Sequence, residues 1–151
     1  MFHCASQLYR PGDRVVPGNW GRLIFGRGPD HPHFYREYLF ERIRQAEFAD
    51  RPSRMQAAFA HRSVDDATGY CQPGEYVYAV EVTTPEAPSH LADMRWLTII
   101  RGYRSFDGIE DVARHYWSGD EPEGDPNGWE LVTYSELVVL RRITPIPENG
   151  Q

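Results

Sequence analysis

The sequence predicts a single α+β domain with mixed or antiparallel, split β-sheets and a few flanking helices. Three observations lead to this class: extended segments outnumber helical ones, long loops separate them, and strands and helices do not alternate regularly as in a parallel sheet. With 151 residues, 40% of them apolar, the chain is long enough to bury one core. We assign residues 1–151 to this one domain, with a loose tail over 145–151.

The first half of the chain predicts short extended pieces around one helix. Residues 1–6 are typical of a strand, and extended pieces are also predicted at 14–16 and 23–25, which a Pro-Gly-Asn turn divides. In 31–48, apolar residues recur at helical spacing behind a proline in the first turn. This segment therefore predicts a helix of about four turns.

The second half adds strands and two more helices. Strands are predicted at 55–60, at the β-branched and aromatic run 76–82, and at 96–100, with a proline-rich loop over 85–90. Ser63 followed by two aspartates predicts a capped helix start. A second helix is predicted over 106–117, and 129–143 predicts a long hairpin or bent strand.

The charged residues exclude several classes of function. All sixteen basic residues are arginine, so Schiff-base chemistry and a P-loop lysine are excluded. The net charge of −6 gives no indication of a nucleic-acid partner, although a local basic groove stays possible. Any anion that this protein binds must be held by guanidinium groups or backbone amides.

The expected location is the cytoplasm. No apolar run reaches membrane-spanning length, and the first residues lack the pattern of a signal peptide. In that compartment we expect Cys4 and Cys71 to be reduced thiols. Their spacing from the histidines does not fit a zinc site, so no metal is expected.

The N-terminal segment carries the first of three resemblances to a known family. Phe2-His3-Cys4-Ala5-Ser6, followed by Gly12-Asp13 and Pro17-Gly18, resembles the first strand and turn of the ADP-ribosyltransferase superfamily, especially the small rifamycin-modifying bacterial members. The resemblance implies that His3 binds a ribose hydroxyl of NAD. It also implies that the backbone of Cys4 holds the nicotinamide amide.

The second resemblance covers residues 57–70 and the strand after them. Phe59, Ala67 and Tyr70 match the superfamily's next strand and helix in type and order. The family's stacking tyrosine falls at Ala58, so either Phe59 or Tyr70 would stack on nicotinamide. Phe59 is also a candidate core residue. Ser63 is a helix cap and, by its place in this segment, a candidate cofactor-binding residue.

The third resemblance concerns the catalytic acid. Tyr134-Ser135-Glu136-Leu137-Val138 resembles the strand that bears the catalytic glutamate in many superfamily members. In the rifamycin-modifying group the acid comes earlier, where Asp93 lies in this chain, and we favour Glu136 over Asp93. For the diphosphate we predict Arg54, whose alternative role is an ion pair with a neighbouring acid.

The resemblance implies a mono-ADP-ribosyltransferase that uses NAD as co-substrate and releases nicotinamide. A fixed carboxylate would stabilise the positive charge that develops on the ribose. The acceptor is unidentified: a small molecule, a protein or a nucleic acid. Two alternatives stay open, a binding or regulatory domain with a decayed NAD site and a toxin-like effector that acts by binding a partner through its arginine-rich helix.

Overall fold

Seven strands form one sheet in the computed structural model, which describes residues 1–99, 106–124 and 128–145. All strand pairs among these residues are antiparallel, and the order is β2-β7-β4-β1-β3-β6-β5. The strands are β1 Phe2–Ala5, β2 Arg14–Val15, β3 Ala58–His61, β4 Tyr76–Val82, β5 Ser89–Asp93, β6 Trp129–Thr133 and β7 Leu137–Pro145.

Five α-helices accompany the sheet in the described part of the chain. They are α1 Asn19–Arg27, α2 Phe34–Glu47, α3 Val64–Tyr70, α4 Arg95–Ile99 and α5 Phe106–Ser118. The predicted α+β class is therefore confirmed, as are the predicted helices that became α2, α3 and α5. None of the described helices combines the length and the apolar character needed to cross a membrane.

The sheet joins two halves at a narrow point. β1 and β3 share one register pair, in which Phe2 lies opposite His61. Four strands lie on one side of this junction and three on the other. The structure therefore has one continuous seven-stranded sheet where split sheets were predicted, and the sheet is narrowest between β1 and β3.

Each face of the sheet carries its own core. One face packs against α2, α4 and α5 through the buried residues Phe40, Ile43, Ala57, Ala92, Leu97, Val112, Ala113, Tyr116, Trp117 and Val132. The other face is formed by Val15, Ala58, Ala60, Tyr78, Val80, Leu137 and Val139. Because successive strand residues point to opposite faces, Phe59 and His61 lie on the face that the helices cover.

Two predicted strands are wrong, since both segments are helical. The segment 23–25 lies inside α1. Gly21 of this helix packs so closely on the backbone of Met55 that an added Cβ would lie 2.1 Å from the Met55 carbonyl oxygen. The segment 96–100 is helix over its described part, and Asp93 Oδ1 accepts the Arg95 amide at its start. In both segments tertiary contacts override strand propensity.

Other predicted boundaries shift by a few residues. The segment 55–60 begins with a 3₁₀ turn before β3, and the loop predicted at 85–90 gives its last two residues to β5. The segment 129–143 contains β6 and β7, but the two strands do not pair as a hairpin. Each of them joins a different half of the sheet. The tail after Pro145 lies outside the described residues.

Candidate functional site

His3 lies on the sheet face opposite the helices. It pairs with Tyr78 in β4, and Tyr78 belongs to the second core. Its Nδ1 donates to the carbonyl oxygen of Phe59 at 2.8 Å, since a carbonyl can only accept. Burial lowers the pKa of His3. His3 is thus a neutral imidazole that bridges β1 and β3, and its predicted contact with ribose stays a prediction.

Glu136 lies far along the sheet from His3. The backbone carbonyl of Glu136 accepts from the amide of Thr83, which directly follows β4. Thr83 lies five residues after Tyr78, the β4 residue that pairs with His3. At about 3.3 Å per residue this places the two positions about 16 Å apart along the strand. The Glu136 carboxylate instead pairs with Arg14 at the exposed edge. The structure therefore does not bring these two predicted residues together.

Arg54 is enclosed by protein groups. It is 5% exposed, and its Nε donates to Glu37 Oε2 at 3.0 Å. Its Nη1 donates to the Glu130 carboxylate and contacts the Tyr116 hydroxyl, and the guanidinium lies 4.8 Å from the Phe59 ring centroid. We call Arg54, Glu37, Glu130 and Tyr116 the Arg54 cluster.

The Arg54 cluster is electrostatically self-sufficient. Burial by itself raises the pKa of Glu37, but the guanidinium groups of Arg54 and Arg36 outweigh burial and hold it below its usual range. Burial likewise raises the pKa of Tyr116 well above its usual value. Because Arg54 is buried and its charge has partners, it offers no surface to a diphosphate. Phe59 is half-buried and packs against the core on the helix side. Both residues stabilise the core in this structure.

Cys4 and Cys71 form a disulfide, so the expectation of two reduced thiols is wrong for this structure. Their Cα atoms are 5.8 Å apart. Cys4 lies in β1, and Cys71 directly follows the end of α3. Glu75 Oε2 lies 3.1 Å from Cys4 Sγ. These three residues are the one described group of at least three potential metal ligands. The disulfide occupies both sulfur atoms.

The helix α3 carries Tyr70 to an open cleft. Ser63 Oγ accepts from the Asp66 amide at 3.0 Å, which confirms the predicted helix cap. At the other end of α3, the Tyr70 ring stacks on His61, with centroids 6.0 Å apart and planes within 4°. Cys71 follows directly, so the disulfide ties this end of the helix to β1.

We call this opening the Tyr70 cleft. It holds about 340 Å³, and it is lined by Asp65, Asp66, Gly69, Tyr70, Thr98 and Gly128. Gly128 has φ +139°, and a Cβ there would lie 3.1 Å from both Asp93 Oδ1 and the Tyr70 hydroxyl oxygen. A glycine is therefore required where these two side chains approach each other.

Asp93 lies directly behind Gly128, away from solvent. Its carboxylate accepts from the Arg95 side chain at 3.0 Å from Nε and 2.6 Å from Nη2. Burial raises the pKa of Tyr70 most, and the charges of Asp93 and Glu130 add to this effect, so that the pKa is about 12. The phenol is therefore neutral near pH 7 and can donate a hydrogen bond.

Two buried polar atoms beside Tyr70 have no hydrogen-bond partner among the described residues. They are Asp66 Oδ1 and His61 Nδ1, in side chains that are 8% and 5% exposed. Burial lowers the pKa of His61, while Glu130 and Asp66 oppose this effect. Buried polar atoms are nearly always bonded. Five such atoms lack a partner among the described residues, and these two are the pair that lies at Tyr70.

Sequence reasoning selected part of this site and missed the rest. Tyr70 and Asp93 were both candidates, and the structure places them on either side of Gly128. Asp66 was interpreted only as a first-turn acid of α3, and His61 was not selected. The sequence signals were the two aspartates that follow Ser63 and the pair His61-Arg62 that follows Phe59-Ala60. Neither signal indicates whether the side chain is buried.

Residues 29–145 match the family described as "Protein of unknown function (DUF2441)". The match covers more than half of the chain, so the chain belongs to this family. It includes α3 and every residue that lines the Tyr70 cleft, whereas β1 precedes it. No curated protein matches the chain.

Proposed function

We propose that this protein is an NAD-dependent mono-ADP-ribosyltransferase whose nicotinamide site is the Tyr70 cleft. The observation that carries the proposal is the approach of Tyr70 and Asp93 around Gly128, at an opening with an unpartnered Asp66 oxygen. An aromatic ring beside a carboxylate suits a planar cationic ring attached to a sugar. The cleft volume also lies within the range of small-molecule sites.

The proposed reaction breaks the bond between ribose C1′ and the nicotinamide nitrogen. Both bonding electrons leave with the nicotinamide, and positive charge develops on the ribose. We assign the nicotinamide ring to the Tyr70 side of the cleft and the ribose to the Gly128 side, where the Asp93 carboxylate stabilises that charge. A nucleophilic acceptor then attacks C1′ and loses its proton to solvent or to a carboxylate.

We assign the diphosphate to Arg62, in place of Arg54. Arg62 is exposed, and its guanidinium carbon lies 5.3 Å from the ring centroid of Trp129, which follows Gly128. A guanidinium held over an aromatic ring is suited to a phosphate oxygen, and Trp129 follows the cleft residue Gly128 in the chain. The acceptor in this proposal is a small molecule, a protein or a nucleic acid.

A second candidate is a domain that binds NAD without cleaving it. It is favoured by the hydrogen bonds from the Arg95 guanidinium to Asp93, which offset the charge needed at the ribose. The separation of His3 from Glu136 also favours it. This candidate shares the cleft with the first and differs from it only in turnover.

The test is release of nicotinamide from NAD by the purified protein, without an acceptor, so that water replaces the nucleophile. We expect Asp93→Asn to lower kcat by about 100-fold or more, as for loss of a preorganised electrostatic group. Glu136→Gln is the matched control, because it also neutralises one predicted acid but lies at the exposed edge. We expect it to change kcat by less than about twofold.

Other results would contradict the proposal in distinct ways. If Glu136→Gln abolishes release and Asp93→Asn does not, the reacting centre is at the sheet edge. If NAD binds to the wild type without any release, the binding-domain candidate is correct. If NAD neither binds nor reacts, both candidates fail.

A further inference from the structure

The wall of the Tyr70 cleft carries negative charge that no described cation balances. Asp65 and Asp66 make no ion pair among residues 1–99, 106–124 and 128–145. Asp65 is exposed, whereas Asp66 is buried with an unpartnered oxygen. One oxygen of this carboxylate is buried without a partner, which is costly, so its place in the lining of the cleft points to a cationic ligand.

Two further acids near the cleft have partners within the described part of the chain. Asp93 is bonded to Arg95, and Glu130 is bonded to Arg54. Arg62 lies over Trp129, outside the set of lining residues. Among the residues that the structure describes, the unbalanced charge in the cleft lining is therefore that of the two aspartates on α3.

We propose that the Tyr70 cleft selects a planar pyridinium cation and that Asp66 is the residue that determines this selectivity. The inference rests on the proposed function, because the nicotinamide ring of oxidised NAD is such a cation. The ring of Tyr70 supplies a flat apolar face, and Asp66 supplies the charge. A neutral ring of the same shape gains only the contact with Tyr70.

This selectivity has a consequence for the reaction. Before cleavage the ring nitrogen carries the positive charge, so Asp66 favours the bound substrate. After the C1′–N bond breaks, the electron pair on nitrogen leaves the nicotinamide neutral, and the attraction to Asp66 is lost. Asp66 thus acts on substrate binding and product release, whereas Asp93 acts on the charge that develops on the ribose.

The experiment compares two probes that differ mainly in charge. 1-Methylnicotinamide is a pyridinium cation, and nicotinamide is its neutral counterpart. Their dissociation constants are measured by NMR titration against the wild type, Asp66→Asn and the control Glu86→Gln, an exposed acid outside the cleft lining. Thermal unfolding confirms that each variant is folded.

We expect the wild type to bind the cation about tenfold more tightly than the neutral ring, as for one carboxylate at short range under partial screening. Asp66→Asn should reduce this ratio to about one, and Glu86→Gln should keep it. A second readout is the KM for NAD, which Asp66→Asn should raise about tenfold without lowering kcat.

The proposal is overturned if the wild type shows no preference for the cation, binds neither probe, or keeps its preference in Asp66→Asn. Failure of the transferase function looks different. In that case NAD releases no nicotinamide, yet the cation still binds more tightly than the neutral ring through Asp66.

Discussion

The Arg54 cluster and the Tyr70 cleft lie on the same face of the sheet and contain similar acids in opposite states. In the Arg54 cluster, the carboxylates of Glu37 and Glu130 both reach one guanidinium. In the Tyr70 cleft, Asp66 is buried almost as deeply, and its Oδ1 reaches no described donor. The first arrangement stabilises the fold, whereas a buried oxygen without a partner costs stability.

The difference follows from where each acid lies. Glu37 and Glu130 project from α2 and β6 into a space that the Tyr116 ring closes. Asp66 projects from the short helix α3 into the lining of the Tyr70 cleft. Burial alone therefore does not distinguish these acids, whereas the presence or absence of a bonded partner does.

The largest expected effect comes from breaking the Arg54 cluster. Arg54→Met leaves Glu37 and Glu130 buried without their cation, which should lower the free energy of unfolding by about 3–5 kcal/mol. Urea denaturation monitored by tryptophan fluorescence measures the change. The control is Arg42→Met, because Arg42 forms an exposed ion pair with Glu110 and should change stability by less than about 0.5 kcal/mol. Equal effects of the two substitutions would contradict the structural role of the cluster.

The next effect concerns the disulfide that fixes the end of α3 beside the cleft. It closes a separation of 67 residues, so Cys71→Ser should lower the free energy of unfolding by about 2–4 kcal/mol. Adding a reductant to the wild type should give a similar loss and should leave Cys71→Ser unchanged. Thiol titration of the native protein is the check. Two free thiols before reduction would contradict the disulfide and would agree with the sequence-based prediction of reduced cysteines.

The sequence predicted the elements whose pattern is local. The strand Tyr76–Val82 has its predicted bounds because β-branched and aromatic residues fill it, and α2 follows its apolar spacing. The segment 23–25 has similar composition but lies in a helix. Its environment is set by the contact between Gly21 and Met55, which lie 34 positions apart. Contacts of this kind leave no local pattern.

The site was predictable only in part, for the same reason. Tyr70 and Asp93 could be selected by residue type and order, but their approach at Gly128 depends on three separate segments. The partner of Arg54 was sought among neighbouring acids, whereas its carboxylates lie 17 and 76 positions away. The acids can be read from the sequence, but which of them form ion pairs depends on contacts between distant segments of the fold.

A smaller effect, of opposite sign, should follow from neutralising the unpartnered acid. Asp66→Asn removes a buried charge that no described donor satisfies, so it should raise the free energy of unfolding by about 0.5–1 kcal/mol. The exposed neighbour is the control, since Asp65→Asn should change stability by less than about 0.5 kcal/mol. Destabilisation by Asp66→Asn would mean that the carboxylate is satisfied within the fold, and the contrast with the Arg54 cluster would then fail.

The smallest effect tests His61, which lies between the two regions and interacts with both Glu130 and Asp66. Burial lowers the pKa of His61 below its value of 6.5 in the unfolded chain, so the unfolded state binds more protons as the pH falls. Stability should therefore be constant above about pH 7 and should decrease below 6.5. The pKa of Glu37 in the Arg54 cluster is held below its usual range, so this buried acid titrates below the interval from 6.5 to 5 in which the histidines are compared. Urea denaturation across this interval should show a shallower decrease for His61→Gln than for the wild type. An identical decrease would place the titration on His3 or His90, whose pKa values burial also lowers.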